Sequence, residues 1–380
     1  MSAKKQNRVT KKALWGVVVF YLLIAFEIAY MAGPFAVYFY GVYNPILNFF
    51  NQSPILSVLN NFFLPHIARE TSSALIAMHE YIGAMFAVFG SVAFCIGACQ
   101  IYYSKFAKKG AVTGGIYNLI RHPQYTSFAI CGFGLLLLWP RFINLFMYVT
   151  MLFVYYLLAK AEEKECEEKF GQTYIDYKNK TAMFFPCKIS FSKKLPTRPK
   201  SKGKKAAALI CAYGLALAAT FGAAKEVTAY SVNSLYAVYT KESATISLCE
   251  IDTDKLKKII NIALSNDDVK NRINWENGET KFLNYVLPSE WYAAEVPMSG
   301  VQYRAGHLSP SDYDDTRYKI IFTIAEIRGN TEAIGKEIVT TVLTREPLIE
   351  VWIDLDEQMV IQVLEIPDDY KYQGIPVAVF

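Results

Sequence analysis

Apolar residues gather into long runs along this chain. Five runs stand out: Ala13–Tyr40, Ser72–Tyr103, Tyr125–Trp139, Phe142–Ala159 and Ala206–Ala224. A bilayer-spanning helix takes about 20 apolar residues, so the runs predict about five transmembrane helices. The third is short and only Pro140 and Arg141 part it from the fourth, so those two read as a helical hairpin. After Ala224 the pattern changes. "DTDKLKKIINIAL" (252–264) sets Asp and Thr ahead of apolar residues at helical spacing, which predicts a capped amphipathic helix. "YKIIFTIAEI", "LIEVWIDL" and "MVIQVLEI" are β-branched and aromatic runs between polar turns and predict strands. The expected fold is an all-α polytopic membrane domain followed by an α+β soluble domain. Its divisions are a membrane domain at 1–190, a basic linker at 191–205, a fifth transmembrane helix at 206–224 and an acidic domain at 225–380.

Charge sharpens this division. Residues 1–224 hold 24 Lys+Arg against 9 Asp+Glu, whereas residues 225–380 hold 15 against 25. The opening "MSAKKQNRVTKK" lacks a small-residue cleavage pattern and reads as a cytoplasmic flank. Lys and Arg favour cytoplasmic loops. "YYSKFAKKG" and "KKLPTRPKSKGKK" (193–205) then lie inside, and loop 41–71, with one Arg and one Glu, lies outside. Arg141 at the hairpin tip is the exception. An integral protein of the cell or inner membrane follows, with a cytoplasmic N-terminus and an extracytoplasmic acidic domain. Topology and anionic lipid account for the basic residues, so no nucleic-acid partner is expected. The acidic half contains Cys249 alone and cannot close an internal disulfide. No CxxC or His-rich spacing occurs and the chain has 4 His, so no metal site is expected. Gly83, Gly90 and Gly97 recur every seven residues, which suits close helix packing in lipid.

Two stretches carry chemistry. "GGIYNLIRHPQY" (114–125) enters the third run, and "AEEKECEEKFGQTYIDYKNKTAMFFP" (161–186) leaves the fourth. The hairpin makes their cytoplasmic ends neighbours at a membrane–water boundary. Gly115, Tyr117, Arg121 to Pro123, Tyr125, Glu162, Glu163, Phe170, Gly171, Tyr174, Tyr177 and Pro186 together resemble the isoprenylcysteine carboxyl methyltransferase and phospholipid methyltransferase superfamily. The resemblance covers about residues 75–190. It implies an S-adenosylmethionine site formed by Val112, Tyr117, His122, Pro123, Gln124, Tyr125, Glu162 and Glu163, with Arg121 and His122 as the catalytic candidates. Carboxylates suit the cofactor's positive charges, and aromatic faces suit a sulfonium. Pro123 keeps His122 out of the helical region, which predicts a kink whose backbone groups are free for a ligand. Tyr174 and Tyr177 are expected to pack the terminal segment over the site, and Glu165, Glu167 and Glu168 to form a solvated helix face.

The expected partners are a lipophilic or small-molecule methyl acceptor and membrane lipid, with room for a protein partner on the external domain. Ser127 stands where prenylcysteine enzymes usually have Gly, and Lys160 where they place an Arg, so the acceptor stays open. Glu27 and the His79–Glu80 pair are intramembrane ionisable groups, which are functional candidates by default. Two alternatives stand beside the methyltransferase. One is a sterol-reductase-like enzyme using NADPH, against which Thr126, Ser127 and Phe128 count. The other is a non-catalytic membrane sensor.

Overall fold

The computed structural model describes residues 40–107, 112–186, 201–274, 280–301, 304–329 and 332–380. The predicted first helix up to residue 39, with Glu27, and linker residues 191–200 lie outside them. In chain order the main helices are α1 (Tyr40–Asn51), α2 (His79–Phe106), α3 (Pro123–Leu138), α4 (Phe142–Phe170), α5 (Gln172–Lys180) and α6 (Lys202–Ser234). Strands β1 (Ala237–Tyr239) and β2 (Ser243–Ser247) lead to helices α7 (Thr253–Ser265) and α8 (Asp267–Ile273). There follow β3 (Phe282–Pro288), β4 (Tyr292–Ala293), β5 (His307–Leu308), β6 (Arg317–Ile327), α9 (Lys336–Thr341), β7 (Val342–Asp354) and β8 (Met359–Glu365).

The chain forms two compact units. Among the described residues the first takes those within 84–136 and 143–217, and the second takes those within 40–83, 137–142 and 218–380. Among the described residues three helices are long and apolar enough to cross a membrane: His79–Ser104, Phe142–Phe170 and Gly203–Ser234. Helix α3 is apolar but has 16 residues, about 24 Å at 1.5 Å per residue, short of the roughly 30 Å hydrocarbon core.

In the first unit α2 exposes Val88, Phe89, Val92 and Ile96 while Gly90 and Gly97 are buried. A Cβ on Gly90 would sit 2.4 Å from the Cys131 backbone nitrogen. The small residue is what lets α2 and α3 touch backbone to backbone, as the seven-residue spacing suggested. Tyr148 of α4 closes on α3 by donating to the Ala129 carbonyl at 3.1 Å.

The second unit is built on a six-stranded mixed sheet, ordered β1-β2-β3-β6-β7-β8. Only β2 and β3 run parallel, and α7 and α8 make the crossover between them. Asp252 caps α7 by accepting from the Asp254 N–H at 2.9 Å, and Leu256, Ile259, Ile262 and Ala263 turn inward. Segment 41–71, expected as a loop, contains α1 and adds Phe62, Ile67 and Ala68 to the sheet's core. Arg141 is 2% exposed. It donates to the Asn60 and Pro376 carbonyls at 3.0 Å each and lies over the Phe62 ring. The one charge that stood outside the loop-charge pattern is thus a buried brace.

Candidate active site

Pro123 sits at the first position of α3, where its missing N–H costs nothing. His122 precedes it outside the helix, and its carbonyl accepts from the Thr126 N–H at 3.2 Å. The N–H groups of Arg121 and His122 are not free, contrary to the expected kink chemistry. They donate to the Ala182 and Met183 carbonyls at 2.9 and 3.2 Å. The chain after α5 therefore lies along the motif as a short parallel strand, with Ile120 paired to Ala182. The Thr126 hydroxyl continues the seam by donating to the Phe184 carbonyl at 3.1 Å.

Helix α4 brings in the acidic pair. Glu163 is 1% exposed. Its Oε1 accepts from Arg121 Nε at 2.7 Å, and its Oε2 lies 2.9 Å from Lys178 Nζ and 3.5 Å from Lys160 Nζ. Arg121 spends its remaining capacity on the Lys178 carbonyl at 2.9 Å and on the Thr181 carbonyl. Arg121 and Glu163 thus fasten α5 and the strand after it to the hairpin. A buried carboxylate needs this kind of compensation, since desolvation of an unpaired charge costs several kcal/mol.

Glu162 is placed differently. Its side chain is 47% exposed. One oxygen accepts from the Tyr125 hydroxyl at 2.7 Å, and the other lies 3.4 Å from His122 Nδ1. His122 Nε2 is 3.6 Å from Glu163. Burial works against a charged His122, but the Glu162 and Glu163 carboxylates outweigh it and raise its pKa above the usual histidine value. Tyr125 stacks on Tyr155 with ring centroids 4.9 Å apart, and on His122 at 5.8 Å.

The structure thus joins Arg121, His122, Tyr125, Glu162 and Glu163 in one cluster. The family model of phospholipid methyltransferases matches residues 74–173. This segment belongs to that family. No curated protein and no solved structure matches the chain. The phospholipid methyltransferase segment takes in the Arg-His-Pro motif and both glutamates. It ends before Tyr174, Tyr177, Lys178 and the segment at 181–186.

Those later residues close the site. Tyr174 is buried, and the Tyr177 hydroxyl donates to the Tyr117 carbonyl at 2.7 Å. Gln124 lies near Gly97, and Val112 is half-buried beside the motif in sequence, with no side-chain hydrogen bond. Lys164 and Glu168 form an exposed pair, in keeping with a solvated face, but Glu167 pairs with Lys178. Sequence reasoning missed Lys178 and Tyr155. Lys178 follows the motif residue Tyr177 directly, and that adjacency was the available signal. His79 and Glu80 fall in the second unit and do not pair with each other. His79 Nδ1 lies 2.6 Å from the Ile76 carbonyl, and Glu80 faces His66 and Arg69.

Proposed function

We propose that the protein is an integral membrane methyltransferase that uses S-adenosylmethionine from the cytoplasmic side and acts on a lipophilic or small acceptor. In this reading the run Ala13–Tyr40 and helix α3 complete five transmembrane helices, and the acidic domain lies on the opposite face. The observation that carries the reading is the half-exposed Glu162 carboxylate, fixed by Tyr125 and His122 beside the stacked Tyr125 and Tyr155 rings.

The residues present fit a sulfonium cofactor. Glu162 offers a half-exposed carboxylate, and the two tyrosine rings offer π faces. The buried Tyr117 hydroxyl has no hydrogen-bond partner among the described residues, so it can serve a ligand. The bound cofactor supplies the methyl group. Tyr125 and His122 hold Glu162 in place, and Glu163 with Arg121 holds the covering segment. A carboxylate acceptor needs alignment more than a base. For an amine acceptor, Glu162 is better exposed than His122 to receive a proton.

Calorimetry of S-adenosylhomocysteine with detergent-purified full-length protein tests this. Micromolar binding is expected for wild type. Glu162→Gln should weaken it by about 10- to 100-fold, the worth of one charge-assisted hydrogen bond. Failure of folded wild type to bind overturns the reading and turns the search to NADPH.

A further inference from the structure

Helix α1 carries its polarity the wrong way round for water. Asn44, Asn48 and Asn51 occupy i, i+4 and i+7, the spacing at which a surface helix normally places its apolar stripe. Groups of the second unit hold them. Asn48 Nδ2 donates to Asn44 Oδ1 at 2.6 Å and to the Gly374 carbonyl at 3.2 Å. Asn60 Nδ2 donates to Asn51 Oδ1 and to the Leu47 carbonyl, each at 2.8 Å. The outward side is apolar: Ile46 is 48% exposed, Phe49 59% and, just past the helix, Ile55 82%. Pro45 and Pro54 extend this surface, and Gln52 is its polar member.

Single exposed apolar residues are ordinary on soluble proteins, but a helix with its polarity reversed is not. The same unit shows the ordinary case. Helix α7 buries Leu256, Ile259 and Ala263 and exposes Asp254, Lys257 and Lys258. For α1 the medium that meets the outward face must itself be apolar.

Two observations identify that medium. Residues 28–68 contain no Asp, Glu, Lys or Arg, in a chain that is 19% charged, so nothing there steers a charged partner. The helix also begins at Tyr40, where the bilayer-length run Ala13–Tyr40 ends. The chain thus delivers α1 to the membrane boundary. A stable protein interface buries roughly 800 Å² per partner, well beyond what three partly exposed side chains offer.

We propose that α1 and the turn after it lie in the membrane interface, with Ile46, Phe49 and Ile55 among the lipid chains and the asparagines toward the second unit. Interfacial helices seat their apolar face about 5–10 Å into the boundary between headgroups and acyl chains. Such helices are commonly rich in Lys and Arg, which draw them to anionic lipid. Helix α1 has neither, so its partner is lipid hydrocarbon and not a headgroup of particular charge. The second unit thereby holds a lipid contact of its own, which does not rest on the methyltransferase reading.

Photo-crosslinking of the full chain in phosphatidylcholine nanodiscs tests this. The photoreactive residue p-benzoylphenylalanine replaces Phe49 or Ile55, exposed positions that accept the larger ring. The same residue at Lys257, on the charged side of α7, is the control. Adducts are read by intact-mass and peptide mass spectrometry. Lipid adducts are expected at both test positions, at least about fivefold above the control. Their yield should not change when phosphatidylglycerol is mixed into the discs. Lipid yield at the control level overturns the proposal. So does a main product joined to a second copy or to residues 13–39 of the same chain, or a yield that rises severalfold with phosphatidylglycerol.

Discussion

Glu163 in the first unit and Glu295 in the second are both buried almost completely, and the two are balanced in different ways. Glu163 is met by Arg121, Lys178 and Lys160, side chains that stay charged across the physiological range. Glu295 is met by His307 at 2.6 Å and by His66 at 4.0 Å, imidazoles that carry charge only when protonated. The first arrangement ties chain segments together permanently. The second couples a fold to the proton concentration. Burial pushes the Glu295 carboxyl up, but the hydrogen bond and charge of His307 outweigh it and hold it below the usual carboxylate range.

The sharpest way to break this contrast is to remove both carboxylates in turn. Glu163→Ala leaves Arg121 and Lys178 facing each other without an anion and should cost about 3 to 5 kcal/mol. Glu295→Gln keeps an acceptor near His307 and should cost about 1 to 3 kcal/mol. Denaturant unfolding of each variant measures both, and an equal loss would erase the distinction.

Acid should act on the second unit next. His66 is held near pH 4, mainly by burial, with Glu295 opposing and His307, Arg69 and Arg141 adding to the fall. Glu80 also faces it, at 3.8 Å. The native state then binds this proton more weakly than the unfolded chain. Its contribution is complete above pH 6.5 and is lost as pH falls toward 4, by on the order of 3 kcal/mol. His122 has the opposite sign. Its raised pKa gives a contribution that is full below the unfolded value and lost as pH rises through the folded one. Hydrogen exchange by mass spectrometry should show segment 60–72 opening in acid and segment 181–186 opening in alkali. Matching pH profiles for the two segments would contradict this.

Packing gives a smaller effect. Gly90→Ala forces α2 away from the Cys131 backbone and should lower stability by about 1 to 3 kcal/mol, read as a drop in melting temperature. Smallest of all, Lys164→Ala removes an exposed pair with Glu168 and should change stability by less than about 0.5 kcal/mol. A larger change would mean this face is not simply solvated.

The sequence was most legible where a local rule acts alone. Asp252 and the spacing of Leu256, Ile259 and Ala263 announce α7, and the β-branched runs announce β6, β7 and β8. Strands β2 and β3 went unnoticed because all their residues are buried, and a strand covered on both faces shows no alternation. Helix α1 was hidden by Pro45 inside it, which argues against a helix. At the site, the motif residues could be named from their pattern. The strand at 182–183 could not, because it meets Arg121 and His122 through carbonyl oxygens that every residue possesses. Arg141 carried the wrong message as a loop charge because its partners, Asn60 and Pro376, are remote in sequence.

The carbonyl of Phe380 accepts from the N–H of His66 at 2.7 Å and of Ile67 at 3.3 Å. A ribosome adding about 5 to 20 residues per second needs roughly 15 to 60 s to make the roughly 300 residues between these partners. Throughout that interval Phe62, Ile67 and Ala68 have no finished sheet to cover them. Chaperone dependence during biosynthesis should therefore centre on this early segment, and slower translation should lengthen its exposure.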